Sequence, residues 1–141
     1  MITNGNNATR SANEVRVQLN FTGFKRSPSE VTSQVGVVPA KTWEAGAFIE
    51  RSKRTYASNG WRVSPGERYE DVERGVDALL SIITPRWDEL RSLSCESRVE
   101  LSIVLYVYES APAVHLRRDQ IARLTELNAD IDVDLYCRSS Q

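Results

Sequence analysis

Three stretches of alternating apolar and polar residues limit what this chain can become more than any other feature. Val15, Val17, Leu19 and Phe21 alternate with Arg16, Gln18 and Asn20. Val99, Leu101, Ile103, Leu105 and Val107 form a longer run, and residues 131–136 alternate strictly as Ile131, Asp132, Val133, Asp134, Leu135 and Tyr136. A period of two sends successive side chains to opposite faces, so each stretch predicts a strand with one face toward a core. The second face of the middle run carries Ser102, Val104, Tyr106 and Tyr108, which is apolar enough to predict a central strand partly covered on both sides.

Helical patterns fill the intervals. Ser27-Pro28-Ser29-Glu30 places a hydroxyl at an N-cap, proline at the first helical position and a carboxylate at the third, the pattern of a capping box. Val31 and Val35 then share a face, Gly36 suits a left-handed C-cap and Pro39 prevents resumption. Val72, Val76, Leu79, Leu80, Ile83, Trp87, Leu90 and Leu93 recur at steps of three and four, predicting a long helix over 69–93. Pro85 inside it removes a hydrogen bond and clashes with the preceding turn, so a kink or break is expected there. Residues 40–63 read as two strands joined by the basic loop Arg51-Ser52-Lys53-Arg54. Val114-His115-Leu116 reads as a short strand, and residues 118–127 as a helix with Ile121, Leu124 and Leu127 inward, ended by Asn128.

The resulting order, β-α-β-β-α-β-β-α-β, predicts an α+β fold: a ferredoxin-like, mainly antiparallel sheet with helices on one face. One domain is expected over 14–137. Residues 1–13 hold little to bury and are expected to be a disordered tail, with a second tail at 138–141.

Charge narrows the function classes. Lys+Arg 18 against Asp+Glu 19 leaves a formal net charge of -1, with no long-range field to gather nucleic acid or an anionic membrane. Cys95 and Cys137 stand far apart without a CxxC pattern, which argues against a disulfide framework or a cysteine zinc site. The N-terminus has neither a basic region nor an apolar run, so the expected location is cytoplasmic.

Several segments resemble a known family. Val38-Pro39-Ala40 with Trp43 and Gly46, then Gly60-Trp61-Arg62-Val63-Ser64, resemble the first half of the bacterial and phage family called domain of unknown function 4279. The second half resembles it more closely, through Val114-His115-Leu116, Leu124 and Leu127, and the ending Asp130 to Cys137, "DIDVDLYC". The resemblance implies a small standalone bacterial domain covering roughly residues 14–137. It implies no reaction and no catalytic residue.

The candidate sites divide by chemistry. His115, the single histidine, has no GxSxG nucleophile elbow to serve, and reads as a surface position rather than a catalytic one. Asp132 and Asp134, with Asp130, share a strand face, but any strand with a polar outer face spaces carboxylates this way, so no metal is expected. The scattered glycines form no phosphate loop, so no nucleotide cofactor is expected. Arg51, Lys53 and Arg54 with Trp61 and Tyr56 could engage single-stranded nucleic acid, an alternative that the neutral balance disfavours. Trp43, Trp61 and Arg62 outline a second alternative, a small-ligand pocket or an unrecognised enzyme. The preferred reading is a non-enzymatic domain that binds another protein through Tyr106, Tyr108, Tyr136, Asp132 and Asp134 on the open sheet face, plausibly as an immunity or antagonist protein in bacterial or phage conflict. The same face would equally serve a homodimer.

Overall fold

The computed structural model describes residues 12–138. The tails expected at 1–13 and 138–141 lie outside those residues except for 12, 13 and 138. Among the described residues, seven strands and four α-helices follow in the order β1 (Glu14–Thr22), α1 (Pro28–Val35), β2 (Lys41–Trp43), β3 (Phe48–Ile49), β4 (Arg54–Thr55), β5 (Gly60–Val63), α2 (Val72–Ile83), α3 (Trp87–Ser94), β6 (Arg98–Val107), α4 (Arg118–Glu126) and β7 (Asp130–Cys137). The five-stranded sheet runs β2-β5-β1-β6-β7. Its pairs are antiparallel except β6 with β7, which are parallel. A fold of the mixed α+β kind, with a mostly antiparallel sheet, is therefore what the alternation produces.

Local chemistry sets the element boundaries. The Ser27 side chain accepts from the Glu30 N–H, and the Ser27 N–H donates to Glu30 Oε1 at 3.1 Å. That capping box, through the Ser27 backbone bond first and its hydroxyl second, holds the Glu30 carboxyl below its usual pKa. Gly36 closes the helix at φ 77°, a conformation other residues rarely adopt. The stripe over 72–93 breaks where Pro85 stands: α2 ends at Ile83, a 3-10 turn covers Thr84–Arg86, and α3 begins at Trp87.

The core lies between the helices and one sheet face. Val15, Val17, Leu19 and Phe21 of β1 and Val99, Leu101, Ile103, Leu105 and Val107 of β6 meet Val31, Val35, Val76, Leu79, Leu80, Ile83, Leu90 and Leu93. Gly75 lets α2 approach closely, since a Cβ there would lie 3.1 Å from a Val17 methyl. Trp61 is fully buried on this face, edge-on to Phe21 at 5.8 Å, and donates its indole N–H to Thr32 Oγ1 at 3.0 Å. Asn59 ties three loops together, accepting from the Ala45 N–H and donating to the carbonyls of Phe24 and Arg26.

The chain departs from the expected order at several places. Residues 40–63 form two sheet strands, β2 and β5, with the hairpin β3–β4 inserted between them; its turn carries Arg51 and Lys53, and Arg54 opens β4. Residues 114–116 are not a strand: Val114 is 49% exposed, and the segment runs outside the sheet toward the N-terminus of α4. Strand β6 ends at Val107, so Tyr108 leaves the sheet register, its N–H bound to Asn13 Oδ1 at 2.7 Å. Ile121 is exposed while Leu124 and Leu127 are buried, because α4 docks on α2 and α3 through Gln120, Arg117 and Glu126. The same docking leaves β7 without a helix over it among the described residues. Val133 and Leu135 share the face of Ile103 and Leu105, yet they are 44% and 54% exposed.

Candidate functional site

Alternation decides which residues share the uncovered face. On β1 it carries Arg16, Gln18 and Asn20, on β5 Arg62, on β2 Lys41 and Trp43, on β6 Ser102, Val104 and Tyr106, and on β7 Asp130, Asp132, Asp134 and Tyr136. The face is therefore charged unevenly: cations gather toward β2, carboxylates toward β7.

The acidic end holds most of the residues expected to bind protein. Tyr106 and Tyr136 stack at 5.6 Å, and the guanidinium groups of Arg16 and Arg138 lie 5.3 Å and 4.8 Å from the Tyr106 ring centre. Asp130 pairs with Arg98 at 3.3 Å, whereas Asp132 and Asp134 have no cation in pairing range among the described residues. Tyr108 does not join this group, because the strand has already ended. Each residue of β7 is exposed, and no strand among the described residues pairs with its outer edge.

The basic end is a cleft of about 590 Å³ lined by Arg16, Gln18, Lys41, Arg62, Ser64 and Arg68, with Ala40, Gly66 and Glu67 completing its wall. Arg62 Nε donates to Asn20 Oδ1 at 2.7 Å, and burial pushes the Arg62 pKa down. Lys41 and Arg62 lie 5.6 Å and 5.4 Å from the Trp43 ring centre. Trp43 in turn stacks on Tyr56 at 5.4 Å and covers Gly60, where a Cβ would fall 1.9 Å from the indole. Trp43 and Tyr56 border a second hollow of about 430 Å³ with Ser27 and Ser29.

The grouping of Trp43, Trp61 and Arg62 is thus corrected. Trp43 and Arg62 share the open face, but Trp61, one residue before Arg62, points into the core. For the same reason Trp61 does not join Arg51, Lys53 and Arg54 on a nucleic-acid surface. Arg16, Gln18, Lys41, Ser64 and Arg68 were not singled out from sequence. Alternation placed Arg16 and Gln18 on a polar face, but only the pairing of β1 with β5 and of β5 with β2 brings the cations together.

A third cluster lies across α2 and the start of α4. Arg117 forks to Asp77 at 2.7 and 3.1 Å and to Asp119 at 3.0 and 3.2 Å, and reaches Glu73 at 3.3 Å. Those bonds, Asp77 first, raise the guanidinium pKa, and Arg117 holds the Asp77 and Asp119 carboxyls below the usual range. Gln120, fully buried, donates to Asp77 and to the Glu73 carbonyl. His115 Nδ1 lies 2.8 Å from Glu73 Oε1, and no hydroxyl or thiol bonds to the ring among the described residues. This is a docking network for α4. Among the described residues no three His, Cys, Asp or Glu side chains gather as metal ligands.

By architecture the chain is a mixed α+β protein whose helices pack on one face of a mostly antiparallel sheet, the other face carrying no helix among the described residues. It belongs to the family described as Domain of unknown function (DUF4279), whose model matches residues 13–138. No curated protein and no solved structure matches the chain. No helix among the described residues is long and apolar enough to cross a membrane.

Proposed function

We propose that the protein is a non-enzymatic binding domain that takes up an extended segment of another protein alongside β7. The observation that carries this reading is the free edge. Sheet edges are ordinarily blunted, because unpaired N–H and C=O groups invite another strand. Here the edge strand displays Ile131, Val133 and Leu135 at 47%, 44% and 54% exposure, a row of large apolar side chains beside a backbone edge that no strand among the described residues pairs with. The other face of the strand offers Asp132 and Asp134, with the Tyr106–Tyr136 stack at its end. An added strand gains main-chain hydrogen bonds for affinity, and its alternate side chains give specificity.

Charge selects the occupant. A strand alternating apolar and basic residues would lay its apolar side chains along Ile131, Val133 and Leu135 and its cations against Asp132 and Asp134. A second copy fits less well: antiparallel pairing about Val133 sets each copy's Asp132 against the other's Asp134, and like charges directly opposite destabilise a pair. We also read the antiparallel part of the sheet as ferredoxin-like, extended by α4 and β7. The order β2-β5-β1-β6, with α1 after β1 and α2–α3 after β5, supports this.

The test is calorimetric titration with a short synthetic peptide alternating lysine and valine, beside one alternating glutamate and valine, with light scattering of the free protein. A monomer that binds only the lysine peptide, and loses it in Asp132→Lys/Asp134→Lys with circular dichroism unchanged, is the expected result. A concentration-dependent dimer would replace this reading with the homodimer. Binding of neither peptide by a monomer would remove β7 as the working surface.

A further inference from the structure

The geometry of the basic cleft assigns it a ligand of its own. We propose that the cleft between β2, β5 and β1 binds a small, polar, multiply anionic molecule, of the organic phosphate or polycarboxylate class, held by Arg16, Lys41 and Arg62. The inference does not rest on the β7 reading: Lys41 and Arg62 stand at the other end of the sheet face, and only Arg16, over Tyr106, borders both.

The argument begins with unbalanced charge. Arg68, on the cleft wall, is tied to Glu14 at 2.6 Å. Arg16, Lys41 and Arg62 line the same space, and none has a carboxylate partner among the described residues. Their contacts are aromatic: Arg16 over Tyr106, Lys41 and Arg62 over Trp43. Three cations share the cleft with a single acid on its wall, Glu67, so the lining carries surplus positive charge that an anion between them would balance. The Arg62 guanidinium is partly desolvated, and its one side-chain hydrogen bond uses Nε, so both terminal nitrogens keep their donors. A planar fork with free ends suits a phosphate or carboxylate taken in bidentate fashion.

Size and wall chemistry specify the rest of the ligand. A volume of about 590 Å³ falls within the range of small-molecule sites and exceeds what one inorganic ion fills. The wall adds the Gln18 amide, which has no side-chain partner among the described residues, and the Glu67 carboxylate as the one acid. An apolar ligand would strand these groups, whereas one with hydroxyl or amide groups would satisfy them. The Trp43 ring, seated over Gly60 beside the cleft, has Lys41 and Arg62 at 5.6 Å and 5.4 Å from its centre.

The test maps binding on the intact chain by nuclear magnetic resonance, titrating pyrophosphate and citrate separately at ionic strength matched with chloride. The expected result is saturable shifts at Gln18, Lys41, Arg62 and Ser64. Pyrophosphate alone would specify the phosphate class, citrate alone the polycarboxylate class. Lys41→Gln and Arg62→Gln should each weaken binding by about tenfold or more, as loss of a charge-assisted contact predicts. Arg51→Gln/Lys53→Gln, outside the cleft, should leave it unchanged. The wild-type shift map decides the matter should either cleft variant fail to fold. Absence of saturable shifts with both anions at millimolar concentration would overturn the proposal, as would shifts away from the cleft or full affinity in folded Lys41→Gln and Arg62→Gln. Saturation by a single-stranded oligonucleotide but by neither small anion would overturn it in favour of a nucleic-acid surface.

Discussion

Single side chains account for the sharpest features of this protein. Ser27 closes the capping box of α1, and α1 supplies Thr32, the acceptor for the buried Trp61 indole. Ser27→Ala should therefore destabilise the fold by about 1 kcal/mol, since a helix N–H loses its acceptor. Urea denaturation measures this, and a midpoint equal to the parent's would show that Glu30 and water satisfy the cap unaided. The motif was legible because its parts lie within four consecutive residues. The cation cleft was not, because Arg16, Lys41 and Arg62 are neighbours only through strand pairing.

Among the elements, α2 and β7 are opposites. Val72, Val76, Leu79, Leu80 and Ile83 of α2 are buried, whereas β7 is exposed along its whole length. Leu80→Ala should cost roughly 2–5 kcal/mol, from lost transfer energy plus the cavity left behind. Val133→Ala should stay within about 0.5 kcal/mol, as surface changes do. Equilibrium unfolding of the two variants tests the contrast, and equal losses would mean that β7 is covered in solution. Alternation identified the Val133 side of the strand correctly, but a face turned toward the helix layer is buried only where a helix lies over it.

Across the whole molecule, α4 and β7 extend the antiparallel sheet, and α4 is fastened to α2 by the fork of Arg117 on Asp77. The Asp77 carboxyl, bonded by Arg117, titrates lower in the folded protein than in the unfolded chain, so its contribution is complete above about pH 4. It is lost as pH falls through the depressed folded value. Acid should then free α4 and β7 before the antiparallel strands, a local opening rather than global unfolding. Hydrogen exchange corrected for intrinsic rates should show β7 losing protection below about pH 4 while β1 retains it. Asp77→Asn should flatten that dependence. Simultaneous loss in β1 and β7 would show that the network is not a separate fastening.

What the sequence determined by itself was local: the alternation of β1, β6 and β7, the cap at Ser27, the break at Pro85 and the inner face of α2. These depend on backbone geometry over a few residues, where side-chain period and hydrogen-bond chemistry act directly. Its likeness to a family of unknown function was also legible, in the run from Asp130 to Cys137. Only the tertiary structure decided that β5 stands between β1 and β2, that α4 leans on α2 and leaves β7 bare, and that Trp61 and Arg62 serve opposite faces. The reason is physical: strand order and helix docking follow from burying one shared core, and the charges left outside are brought together as its consequence.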